Sequence, residues 1–146
     1  MGHIHKRGVS SLVLCCLFGL LAACSGATTD IGVIGRVDQA VITSLPEIAK
    51  RDEAIQLTFN TYGDSCTAAT RTEVQLQGLE ATVTPYDTKT TGTSTSPCVL
   101  VAFRIEHTAT LVFDQVGTAT VTVRGYDTSS DFGGKVIEVV RTITIQ

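Results

Sequence analysis

The chain has 146 residues, a formal net charge of −3 and a mean hydropathy of +0.25. That length holds one domain, and the small negative charge excludes the basic surface that nucleic-acid binding needs. Hydrophobic residues make up 43 %, aromatics only 5 %, and there is no Trp.

Residues 1–7 (MGHIHKR) carry Lys6 and Arg7 and no acid, and residues 9–21 (VSSLVLCCLFGLL) form an apolar run. The run is shorter than the about 20 apolar residues needed to span a bilayer. A basic start, a short apolar core and then small residues are the layout of a secretory signal. The end of the run, Leu21-Ala22-Ala23-Cys24, resembles the lipobox of bacterial lipoprotein signal peptides, a Leu and two small residues before an invariant Cys. The resemblance covers residues 1–24. It implies that residues 1–23 are removed and that Cys24 becomes an N-terminus carrying the lipid on its sulfur. Such an anchor is firm, because each buried CH₂ contributes ~0.8 kcal/mol. Ser25 stands where Gram-negative lipoproteins kept in the inner membrane often have Asp. The outer membrane is therefore the favoured destination, with the domain in the periplasm or at the cell surface.

Loss of the signal leaves nine Lys and Arg against fourteen Asp and Glu, a net charge of −5. Of the three His, only His107 remains. Cys15 and Cys16 go with the signal and Cys24 is lipidated, so Cys66 and Cys98 are left in an oxidising compartment where disulfides persist. A bond between them would contribute ~3.5–4 kcal/mol in the chain-entropy account. The alternatives are a free thiol pair or a metal site, for which two Cys and one His are a poor ligand set.

Residues 24–32 read as a short lipidated tether, and residues 33–146 as one domain. Within it, apolar and polar residues alternate with period two, the signature of half-buried strands. The runs are 54–61 (Ile55, Leu57, Phe59), 71–77 (Val74, Leu76), 79–86 (Ala81, Val83) and 99–105 (Val99, Val101, Phe103, Ile105). They continue with 108–114 (Leu111, Phe113), 118–126 (Ala119, Val121, Val123) and 136–145 (Ile137, Val139, Ile143, Ile145). A further strand is expected within 33–43. Twenty-three Thr in the mature chain suit strands with one wet face. Residues 46–54 (PEIAKRDEA) are either one helical turn or a polar connection. Residues 87–97 (DTKTTGTSTSP) have no apolar side chain and read as a loop.

Seven or eight short strands separated by turn residues predict an all-β, antiparallel sandwich, with a small barrel as the alternative. The stretch 117–124 (GTATVTVR) and the last strand resemble the closing strands of bacterial Ig-like domains. The resemblance is architectural, and such sandwiches carry many functions.

Catalytic signatures are missing from the sequence: no Gly-x-Ser-x-Gly, His-Glu-x-x-His or phosphate loop occurs. His107 falls between two expected strands and reads as an exposed turn residue. A triad of Ser65, His107 and Asp64 can be drawn on paper, but no spacing supports it. Asp127, Ser129, Asp131 and Glu138 occupy offsets 1, 3, 5 and 12 of a calcium loop, yet Phe132 replaces the Gly that offset 6 requires. They are weak metal candidates, and no cofactor is expected. Tyr62, Tyr86 and Tyr126 fall near strand ends, where they could form a binding patch. The reading that results is a lipid-anchored envelope protein with a non-enzymatic structural or protein-interaction role and an envelope protein as partner. A carbohydrate- or small-ligand-binding module is the alternative, and a small periplasmic hydrolase comes third.

Overall fold

A computed structural model describes residues 26–35, 41–93, 96–128 and 134–146. These form ten strands and no helix: β1 (Ala27–Ile31), β2 (Val33–Gly35), β3 (Ile42–Ser44), β4 (Ile48–Ala49), β5 (Ile55–Gly63), β6 (Thr67–Gln77), β7 (Glu80–Thr90), β8 (Phe103–Leu111), β9 (Gly117–Asp127) and β10 (Lys135–Ile145). They make two sheets. The larger contains β1, β2, β4, β6, β7, β9 and β10, and the smaller runs β3-β5-β8. The fold is therefore an all-β sandwich and not a closed barrel. Most pairings are antiparallel, and the parallel ones are β2 with β9, β7 with β9, and β4 with β10.

The alternation in the sequence selects the core face. From the larger sheet come Ala81, Val83, Ala119, Val121, Val123, Ile143 and Ile145, and from the smaller Ile55, Leu57, Phe59, Ala109 and Leu111. Phe113, Ile34 and Val41 close the ends of this cluster. Threonines fill the opposite face of the larger sheet, as in the cross-strand rows Thr82↔Thr122 on β7 and β9 and Thr120↔Thr142 on β9 and β10. Three strands cannot cover seven. Val74 and Leu76 point inward on edge strand β6 yet stay 39 % exposed.

Several elements depart from expectation. Of the two forms open for residues 46–54, the helical turn is absent and the connection carries the short strand β4, followed by a turn in which Asp52 has φ 62°. The strands expected at 99–105 and 108–114 are one continuous strand, β8, beginning only at Phe103. Val99 and Val101 lie before it and are exposed. Strand β7 continues through Thr90, so the loop expected from residue 87 begins at residue 91. Most of the segment read as a tether is strand β1, paired antiparallel with β7 from Ala27↔Thr90 to Ile31↔Tyr86.

Strand β1 enters the sheet through a fork. Strands β7 and β9 pair only over Glu80–Val83 and Thr120–Val123. Pro85 then offers no N–H toward β9, so the ladder cannot continue there. The chain at Gly32 fills the opening: its N–H donates to Pro85 O and its carbonyl accepts from Tyr126 N–H, both at 2.9 Å. Space at the fork is very small. A Cβ on Gly32 would lie 2.5 Å from Thr61 Cγ2 and 2.7 Å from Asp87 Oδ2, and one on Gly125 would lie 2.7 Å from the Gly32 carbonyl oxygen. Gly32→Ala is therefore expected to destabilise the protein by about 1–3 kcal/mol through overpacking, read as a lower urea midpoint. Gly26→Ala, where an added Cβ meets nothing within 4 Å, is expected to leave the midpoint unchanged.

Candidate functional site

The polar chemistry of the described residues gathers at one end of the sandwich, around His107. The residue lies in the middle of β8, and its side chain has the same inward parity as Ala109 and Leu111. It is 3 % exposed, which corrects the expectation of an exposed turn histidine. Its ring stacks on Phe59, its cross-strand neighbour on β5, with centroids 5.5 Å apart and planes at 18°. Nε2 lies 2.8 Å from Oδ1 of Asp87, and Nδ1 lies 3.2 Å from the Thr72 hydroxyl.

Each partner is brought there by a feature of its own strand. Asp87 continues the inward parity of Ala81, Val83 and Pro85 along β7 and is 7 % exposed. Thr72 depends on a bulge. Ala69 pairs with Asp87 and Arg71 with Tyr86, so Thr70 is the extra residue. Inserting one residue reverses which face the following side chains occupy. Thr72 thus turns inward toward His107, while Arg71 turns outward, its guanidinium 3.9 Å above the Tyr86 ring. With Nε2 protonated, His107 donates to Asp87 and accepts from the Thr72 hydroxyl at Nδ1. A protonated ring would donate at both positions.

A hydroxyl, an imidazole and a carboxylate in sequence are the parts of an acyl-transfer triad. Here the imidazole is enclosed between the sheets and both its nitrogens are engaged within the fold. The paper triad does not form. Ser65 Oγ instead accepts the Val99 N–H at 2.7 Å, and Asp64 binds Lys89. Beside Asp87 a cleft of about 210 Å³ opens between β1, the end of β5 and β7, lined by Asp30, Tyr62, Asp64, Asp87 and Lys89 among others. The buried hydroxyls of Thr61 and Tyr62 make no hydrogen bond with the described residues.

Lys89 Nζ lies 2.8 Å from Asp64 Oδ2, and Asp64 also accepts from the Thr67 hydroxyl at 2.8 Å and the Cys66 N–H at 3.0 Å. The bond to Lys89 first, then that to Thr67, holds the Asp64 carboxyl below its ordinary value of 3.8. These bonds shape the turn that presents Cys66. Cys66 and Cys98 form the expected disulfide, with sulfurs 2.02 Å apart and Cα atoms 5.4 Å apart. Asp64, Cys66 and Cys98 lie close enough together to suggest a metal site, but both sulfurs are spent on each other.

The other candidates disperse or lie elsewhere. Cys24, Ser129 and Asp131 lie outside the described residues. Asp127 ends β9 with its carboxylate against Gly35, and Glu138 lies on β10 opposite Arg124. Tyr62 is buried, whereas the Tyr86 hydroxyl donates to Glu73 on the outer face, so the tyrosines do not form one patch. Sequence reasoning missed Asp87 and Thr72. A signal for Asp87 was available: running the alternation of 109, 111 and 113 back to 107, and that of 81, 83 and 85 on to 87, puts His107 and Asp87 inside, whereas Thr72 turns inward only through the bulge at Thr70. No protein-family model, curated protein or solved structure matches the chain.

Two measurements test this end of the molecule. His107→Leu strands a buried carboxylate and is expected to cost about 3–5 kcal/mol, whereas the double variant His107→Leu/Asp87→Leu is expected to recover part of that loss; urea unfolding of both variants checks it. A carboxyl whose value is lowered on folding stabilises the fold above its unfolded value, and that contribution vanishes as pH falls through the lowered one. Wild-type stability is expected to fall as pH drops below about 3.8, and Lys89→Ala is expected to flatten part of that acid limb in pH-dependent unfolding.

Proposed function

We propose that this protein is a lipid-anchored bacterial envelope protein whose Ig-like sandwich has a non-enzymatic structural or protein-interaction role. The observation that carries the reading is Leu21-Ala22-Ala23-Cys24, followed only three residues later by Ala27, already paired in the sheet. An anchor at Cys24 would hold a folded domain directly against the membrane. The Cys66–Cys98 disulfide supports an exported destination, because such bonds persist where thiols are not kept reduced. Enclosure of His107, with Asp87 and Thr72 occupying its nitrogens, supports a structural use of the one catalytic-type constellation found among the described residues. The threonine-rich outer face of the larger sheet is the broad surface available to a partner.

A second reading, a small-ligand-binding module, is favoured by the cleft beside Asp87 and Lys89 with Tyr62 in its wall. The first experiment is intact mass measurement of the protein from the envelope of an expressing bacterium. A mature chain beginning at a diacylglyceryl-modified Cys24 is expected, with Cys24→Ser lost from the membrane fraction. An unmodified Cys24 in the wild-type chain would overturn the anchor. Crosslinking in the same envelope is expected to join the anchored protein to a protein partner, whereas recovery of the protein alone turns the reading to the second.

A further inference from the structure

We propose that the exposed apolar run at residues 99–103 is a second membrane contact, inserting into the lipid surface that holds Cys24. The proposal rests on the lipid-anchor reading above and assigns that anchor a docking face.

Val99, Leu100, Val101 and Phe103 are consecutive apolar positions broken only by Ala102. Leu100 is 88 % exposed, and the other three lie between 45 % and 59 %. A contiguous exposed apolar patch of this kind marks a contact surface. The run is not a loose loop. It starts at Cys98, whose disulfide fixes it to Cys66. The Ser65 N–H donates to Val99 O, and the Val99 N–H donates to Ser65 Oγ. At its far end Phe103 pairs with Gly63 on β5.

The same corner is where the N-terminal segment leaves the domain. Thr90 N–H donates to Cys66 O at 3.0 Å, and Ala27 is the cross-strand partner of Thr90. Strand β1 runs antiparallel to β7 and away from this corner, so the chain preceding Ala27 emerges here. Cys24 precedes Ala27 by three residues, a reach of at most about 10–11 Å. A lipid on Cys24 therefore brings the bilayer surface to the corner that carries the apolar run. Charge agrees. Residues 88–103 contain Lys89 and no acid, although the mature chain as a whole is acidic. Asp64, the carboxylate beside this stretch, is paired with Lys89. Exposed apolar side chains on a stretch that itself carries no acid suit insertion at the headgroup boundary.

The test uses the full-length lipidated protein in phosphatidylethanolamine–phosphatidylglycerol vesicles whose acyl chains carry bromine, a collisional quencher. The natural chain has no Trp, so Leu100→Trp supplies a single emitter at a solvent-exposed position. Val116→Trp is the reference, exposed in the turn before β9 at the opposite end of the sandwich. Insertion of about 5–10 Å is expected to cut Leu100→Trp emission by about twofold, with Val116→Trp unchanged. Lipidated, vesicle-bound protein in which the two emitters respond alike overturns the docking face and leaves the anchor standing. An unmodified Cys24 overturns both. Unquenched but blue-shifted Leu100→Trp emission, with doubled mass in detergent, assigns the run to a second copy of the chain and also overturns the lipid contact.

Discussion

Gly32 bonds two diverging strands at once, and much of the molecule's organisation depends on that position. Its N–H answers the Pro85 carbonyl and its carbonyl answers the Tyr126 N–H, so it closes the gap that Pro85 opens between β7 and β9. The closure has two consequences. It holds β1 along the outer half of β7, which sends the preceding chain out beside the Cys66–Cys98 disulfide. It also sets a residue without a side chain directly against Thr61 and Asp87 at the polar end of the core. A larger residue would push against both.

The sandwich has an apolar middle and a polar end, and the two are held together differently. In the middle, Leu57, Leu111, Val83 and Val121 interdigitate between the sheets and contribute by excluding water. At the end, the Asp87–His107 hydrogen bond links the larger sheet to the smaller, with Phe59 against one face of the ring. Such a pair adds little net stability compared with apolar residues of the same volume, because both groups must be taken out of water. It is directional, however. It defines which part of β7 faces which part of β8, a register that interchangeable aliphatic contacts leave weakly specified. The bulge at Thr70 belongs to the same device, since it turns Thr72 inward to occupy the second ring nitrogen.

The disulfide corner combines a covalent link, a charge pair and exposed apolar surface within a short span. Asp64 and Lys89 satisfy each other, and the Asp64 carboxylate also organises the turn before β6 through Thr67 and Cys66. Cys98 is thereby held close to β7, and the residues after it are presented outward instead of folding onto the core. In the proposed anchored protein this corner is the part nearest the bilayer. The charged turn at Lys50, Arg51, Asp52 and Glu53 precedes β5, which runs toward the disulfide corner, and so lies at the far end.

Period two in the sequence is a local property of the pleated strand. By that property alone the sequence determined an all-β fold and the core faces of β5, β7, β9 and β10. Local pattern failed where strands begin and end, because an apolar run looks the same whether it is buried or left outside a sheet. Residues 99–102 (VLVA) are as apolar as a buried strand, yet the smaller sheet gives them no partner strand before Phe103. His107 reads as a break between two strands because it is polar. Asp87 and Thr72, distant in the chain and on the opposite sheet, make its burial tolerable. The tertiary structure decided the fork at Pro85, the pairing of β1, the inward turn of Thr72 and the meeting of His107 with Asp87. Each depends on segments distant in the chain arriving at one place, and no local periodicity encodes that arrival.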